Sequence, residues 1–225
     1  MSDYSINARE TGDLAKVYDC RYKTGVANWE AAPGKAVLIE ALRRFCSPDY
    51  PLRLLDIGCG TGSFLKRISE EVSSRWDFCG ADFSEVSIAQ ACGRFPNFHF
   101  ECRDATMLAY PKGSFQIVTC YGSWEHFADP ARAIAEASRI LAPGGHMFAM
   151  IPTLGVHRTD REDEGWYEDA KLPGVSYCQL QWNLKRSTWA SIFARCGIRL
   201  MNDVVAASCG ARKPGVFYLG TQEGN

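Results

Sequence analysis

LLDIGCGTG, residues 54–62, is an apolar run that ends in an acid and passes at once into three glycines at alternate positions. Such a run describes a buried strand whose chain turns sharply at its carboxyl end, exposing backbone N–H groups where a helix begins. A ligand is expected above Gly58, Gly60 and Gly62. The spacing narrows its identity. A dinucleotide fingerprint needs Gly or Ala three residues after its second glycine, so that helix and strand pack closely around a pyrophosphate. Counted from Gly58 and Gly60, that place holds Ser63; counted from Gly60 and Gly62, it holds Leu65. A phosphate-cradling P-loop needs a Lys after its last glycine, and none precedes Ser63.

Four further signals follow in order. An apolar stretch beginning near Trp76 ends in Gly80, Ala81, Asp82, Phe83 and Ser84. An acid at the end of a second strand can accept both hydroxyls of a ribose; it equally suits the first turn of a helix starting near Ser84. A third strand, residues 97–101, leads into Cys102, Arg103, Asp104 and Ala105, and a fourth, 115–120, opens into Tyr121, Gly122, Ser123, Trp124, Glu125, His126 and Phe127. Residues 141–145, LAPGG, then stop a helix and start a fifth strand over 146–151.

Over residues 52–152 this succession resembles the class I S-adenosylmethionine (SAM) methyltransferases. The resemblance implies an α/β fold: a Rossmann-like, seven-stranded, mostly parallel sheet with helices on both faces and the last strand antiparallel. It also implies SAM as cofactor and S-adenosylhomocysteine as product. Asp56, Gly58, Cys59, Gly60 and Gly62 would hold the methionine part, and Asp82 with Phe83 the ribose. Asp104 would bond the adenine amino group while the backbone N–H of Ala105 reaches a ring nitrogen, with Tyr121 also in the cofactor's site.

Length and composition agree. A chain of 225 residues, 46% apolar, buries one core of α/β size, so residues 1–225 are expected to form a single domain. A net charge of −1 provides no field for nucleic acid. No run approaches the roughly 20 apolar residues of a membrane span and the polar N-terminus is unlike a secretion signal, so a cytoplasmic protein without a membrane partner is expected. No interface pattern assigns an oligomeric state. The ten cysteines form no C-x-x-C pair and read as reduced, small apolar residues; the alternative is that Cys178, Cys196 and Cys209 converge on a soft ligand, as in arsenite methyltransferases.

Apolar periodicity predicts helices over 31–45, after the glycine loop, over 85–93 and over 130–141. Near the C-terminus Ser187 reads as the N-cap of a helix over 188–196, followed by strands over 198–206 and 215–221. Residues 1–49 form a helical cover. Residues 152–185 are too long for an ordinary connection and leave the carboxyl edge of the sheet, where ligands enter, so they read as an irregular substrate-facing lid. The lid carries Trp166, Tyr177 and Trp182 as substrate-binding candidates, and residues 157–171 hold six acids against three Lys and Arg. The other reading is an exposed charged loop with its aromatics against the core. Tyr18 or Tyr22 would face the sulfonium, as aromatic faces do other cations, or pack in the core.

Methyl transfer from SAM needs an aligned acceptor and, for many acceptors, a base. His126 is the candidate base and Glu125 its partner, with Trp124 beside them as a further substrate-binding candidate; alternatively these three cap the loop and pack the next helix. The stretch invites comparison with ubiquinone-pathway O-methyltransferases, where a Glu, Glu and His set can hold a divalent ion, but Gly122 stands at the first acid's place and no metal is predicted. The expected function is methyl transfer to O or N of a small molecule. The alternatives are C-methylation of a quinone-like or natural-product intermediate, or a non-catalytic SAM-fold partner subunit.

Overall fold

The computed structural model describes residues 11–25, 34–152, 163–168, 180–205 and 216–222. In chain order these form α1 (Thr11–Lys23), α2 (Gly34–Phe45), β1 (Arg53–Ile57), α3 (Ser63–Glu71), β2 (Asp77–Asp82), α4 (Glu85–Arg94), β3 (His99–Cys102) and β4 (Phe115–Tyr121). A short 3-10 turn (Trp124–His126) precedes α5 (Pro130–Ile140) and β5 (Leu141–Ile151). Then come β6 (Gly165–Glu168), β7 (Leu180–Asn183), α6 (Arg186–Arg195), β8 (Ile198–Val205) and β9 (Val216–Gln222).

Five strands, in the order β3-β2-β1-β4-β5, run parallel as the Rossmann-like part of the sheet. β9 and β8 continue the same sheet beyond β5, with β9 antiparallel to both neighbours. Alternation along the central strands explains the layers. Leu54, Phe78, Ile117 and Phe148 face a core completed by residues of α2, α3 and α4, whereas Leu55, Cys79, Val118 and Met147 face one completed by α5 and α6. Both faces are therefore apolar and covered, and the exposed opportunity lies at the carboxyl edge. There the order reverses between β1 and β4, which is where open α/β sheets bind ligands.

Two expectations need correction. First, the segment 152–185 is expected to be irregular, but within it β6 and β7 pair antiparallel as a small sheet separate from the main one. Each has four residues, at the lower limit at which alternation is legible. Trp166 pairs with Trp182 across them, ring centroids 5.2 Å apart, and the Trp182 indole N–H donates to the Phe127 carbonyl at 3.0 Å. Second, α6 starts at Arg186 and Ser187 is not its cap. Glu164, just before β6, accepts from Lys185 N–H at 2.7 Å and from the Thr188 hydroxyl at 2.5 Å, so a distant carboxylate ties down the start of α6.

Asp129 and Ser84 do cap their helices locally, accepting from Arg132 N–H and Ser87 N–H. Among the described residues no helix is long and apolar enough to cross a membrane.

Gly62 opens α3 with φ +76°, and a Cβ there would lie 2.6 Å from Phe100 Cζ. Gly62→Ala should therefore cost about 1–3 kcal/mol through left-handed strain and overpacking. Urea unfolding checks this, and an unchanged midpoint would contradict it.

Candidate active site

The glycine loop is fastened to the end of β2. Gly58 and Cys59 N–H donate to the Ala81 carbonyl at 2.8 and 3.1 Å. Gly60 N–H donates to Asp82 Oδ2 at 2.9 Å, and Ser84 N–H to Oδ1 at 3.0 Å. Asp82 is thus held in place although only 6% exposed, and each of its oxygens keeps further acceptor capacity. Burial raises its pKa, opposed by the two N–H bonds.

Beneath the loop, Asp56 is buried at the end of β1 and accepts from the Thr119 hydroxyl at 2.6 Å. Burial pushes its carboxyl up to about 7, against the pull of Thr119 and of the positive Lys35. Lys35 is itself buried on α2, with Nζ 5.6 Å from the ring centroids of both Phe64 and Tyr121.

No helix joins β3 to β4. The connection is tied to α5 instead: Glu136 accepts from Leu108 N–H at 3.0 Å and Arg139 donates to the Tyr110 carbonyl at 2.7 Å. At its start Asp104 Oδ1 accepts from the N–H and hydroxyl of Thr106 at 2.8 and 2.9 Å, leaving Oδ2 its acceptor capacity. Gly58, Asp82, Phe83, Asp104, Ala105 and His126 line one cavity of about 430 Å³, counted with its open mouth. His126 Nε2 stands 3.6 Å from Glu125 Oε1, and both residues are buried.

α1 covers this edge. Tyr18 neighbours Phe83 and His126, ring centroids 5.3 and 6.1 Å away. A Cβ on Gly60 would meet the Tyr22 hydroxyl at 2.5 Å, so this tyrosine rests on the glycine loop. Burial and the charge of Asp82 raise its pKa well above the ordinary value.

A family model described as a methyltransferase domain matches residues 31–200. The chain belongs to the class I SAM-dependent methyltransferases. It is 35% identical to a demethylmenaquinone methyltransferase of Deinococcus radiodurans over 104 residues, which are 44% of this chain and 43% of that protein. The chain spans less than half the length of the first curated relatives it matches. Two solved structures share the fold at 16% identity. One is the [4+2]-cyclase SpnF, with TM-score 0.73 over 95% of this chain and 96% of that one. The other is the Burkholderia thailandensis 1,6-didemethyltoxoflavin-N1-methyltransferase with 1,6-didemethyltoxoflavin and S-adenosylhomocysteine bound, TM-score 0.72 over 100% and 92%. The residues fit SAM as cofactor: a buried acid, Asp82, keeps acceptor capacity above a glycine loop whose closest approach a Cβ would fill.

Placement of the other expected residues is mixed. Trp124 is corrected: it is fully buried, packed edge-on against Phe127 and Phe193 in the α5–α6 core, and is not exposed to a substrate. Trp182 lies partly buried on the same core. Tyr177, Cys178 and Cys209 lie outside the described residues, and the Cys196 thiol donates to the Ala131 carbonyl at 3.6 Å. Among the described residues no group of three or more His, Cys, Asp or Glu could hold a metal ion. Lys35 and Leu14, which lines the cavity, were missed because each comes from a helix far from the glycine loop in sequence.

Asp56 binds its proton more tightly folded than unfolded. Between its ordinary 3.8 and about 7 the folded protein therefore holds the extra proton, and stability falls as pH rises through that window. Asp56→Asn should remove this slope in unliganded protein. Urea unfolding across the window tests it; identical pH dependence in the two proteins would refute the assignment.

Proposed function

We propose that the protein transfers the methyl group of SAM to an oxygen or nitrogen of a small-molecule acceptor. The observation that carries this reading is that His126 lines the same cavity as Asp82 and Asp104. In it, residues 1–225 act as one methyltransferase domain, with residues 1–49 as cover and 152–185 facing the acceptor.

Asp82 would accept the two ribose hydroxyls beside Phe83, and Asp104, through Oδ2, the adenine amino group, with Ala105 N–H at the ring. Gly58, Cys59, Gly60 and Gly62 would take the amino-acid end over Asp56, bordered by Tyr121. When bound, SAM supplies a methyl group on a positive sulfur, which an acceptor's lone pair displaces in one in-line step. His126 would take the acceptor's proton, and Glu125, 3.6 Å from its Nε2, would orient the ring. Tyr18, next to His126 and Phe83, offers the aromatic face that stabilises a cation and excludes water. Trp182, anchored on the carbonyl of the cavity residue Phe127, supports an acceptor wall built with Trp166. No metal is assigned a role.

A base so placed suits an acceptor that loses a proton, and the toxoflavin neighbour is an N1-methyltransferase. The near-zero net charge supports a small molecule over nucleic acid. The demethylmenaquinone relative favours one second reading, methylation of a quinone-like intermediate. The cyclase neighbour is a reminder that the fold alone does not specify methyl transfer.

Transfer of labelled methyl from SAM into a metabolite pool is the test, and tight SAM binding without transfer would favour a non-catalytic subunit. His126→Gln should lower turnover by about 10²-fold or more with SAM affinity nearly kept; an unaltered rate and pH profile would retire it as base. Asp82→Ala should weaken SAM binding by about 1–3 kcal/mol, and unchanged affinity in a folded variant would remove its ribose role.

A further inference from the structure

α1 closes the cofactor's edge without belonging to the sheet's core. Leu14, Val17 and Arg21 are buried along one side of this helix, with the Arg21 guanidinium 5.2 Å from the Tyr18 ring centroid, Tyr18 and Tyr22 lie on the same side, and Lys16, Cys20 and Lys23 are exposed. An apolar stripe seats a helix, yet it leaves rotation and sliding weakly specified, whereas directional bonds define one position. Asp19 makes two such bonds, and Gln90 on α4 donates a longer one to the Tyr22 carbonyl at 3.4 Å. Asp19 Oδ1 accepts from the Ser84 hydroxyl at 2.5 Å and from Val86 N–H at 3.2 Å, both at the start of α4. A carboxylate is well placed there, since the first turn of a helix presents unpaired N–H groups and positive potential.

The position of this anchor matters. Ser84 is fully buried, and the same residue donates its N–H to Asp82, so Asp19, Ser84 and Asp82 form one hydrogen-bonded chain from the cover to the acid of the cofactor's site. Asp19 lies next to Tyr18 and three residues before Tyr22, the two rings that meet Phe83, His126 and Gly60. With Tyr22 resting on Gly60 and Leu14 lining the cavity, α1 lies over the glycine loop and the cofactor's site.

We propose that Asp19 is a positioning residue: it pins α1 to the start of α4, setting Tyr18 and Tyr22 over the cofactor's site, and cofactor exchange requires that pin to open. The inference rests on the SAM-binding reading given above.

The test compares wild type with Asp19→Ala, which loses both bonds, and Asp19→Asn, which keeps Oδ1 as acceptor. Amide hydrogen exchange of α1 is followed in unliganded protein. S-adenosylhomocysteine association and dissociation are followed by stopped-flow tryptophan fluorescence. Losing two bonds to a charged acceptor should lower α1 protection in Asp19→Ala by about tenfold or more and raise both rates, while Asp19→Asn stays near wild type. Val86→Pro removes one donor in the first helical turn, where Pro is tolerated; it should act in the same direction more weakly and serves if Asp19→Ala does not fold. Unchanged protection in these variants overturns the pin. Faster dissociation with unchanged association overturns the gating, since it makes Asp19 a simple binding contact. Failure of the wild type to bind S-adenosylhomocysteine contradicts the SAM reading instead, and the exchange data still decide the pin.

Discussion

The carboxylate of Asp82 ties together two turns that are otherwise held separately, one through the Ala81 carbonyl and one through the Ser84 cap of α4. One oxygen takes Gly60 N–H from the turn after β1 and the other takes Ser84 N–H from the turn before α4. Both donors meet a buried acceptor, and leaving such groups unpaired costs about 1–3 kcal/mol each. The acid stays buried because these bonds offset part of its desolvation. The glycine loop, the start of α4 and the Asp19 anchor of α1 all depend on this residue, as does any ligand that uses its remaining lone pairs.

The sheet explains why the site lies where it does. Its two apolar faces are covered by helices, which leaves the carboxyl ends of β1, β2 and β4 as the place where polar side chains and backbone N–H groups collect. Asp56, Asp82 and Asp104 sit at or just past the ends of three adjacent parallel strands. A single fold constraint thus lines up the glycine loop and three carboxylates along one edge, the arrangement that the proposed SAM site uses. His126 arrives from β4, on the far side of the point where strand order reverses.

What could be read from the chain alone follows from the range of the interactions. The positions of the glycine loop, Asp82 and Asp104 at one edge of the sheet were legible because each lies within a few residues of a strand's end. Trp124 was misread because three neighbours in a tight turn point apart: His126 reaches the cavity while Trp124 enters the core against Phe193 on α6. The start of α6 was misplaced because its acceptor, Glu164, lies more than twenty residues away. The β6–β7 pair was missed because two four-residue strands hold register through partners rather than pattern. Asp19 carries no motif, and its part emerges only once α1 is seen against α4.

In the proposed function Asp82 and Asp104 receive the two ends of an adenosine. A crystal structure with S-adenosylhomocysteine bound tests that most directly. It is expected to show both ribose hydroxyls within hydrogen-bond distance of Asp82 and the adenine amino group at Asp104. S-adenosylhomocysteine bound elsewhere, or with its ribose turned away from Asp82, would contradict it.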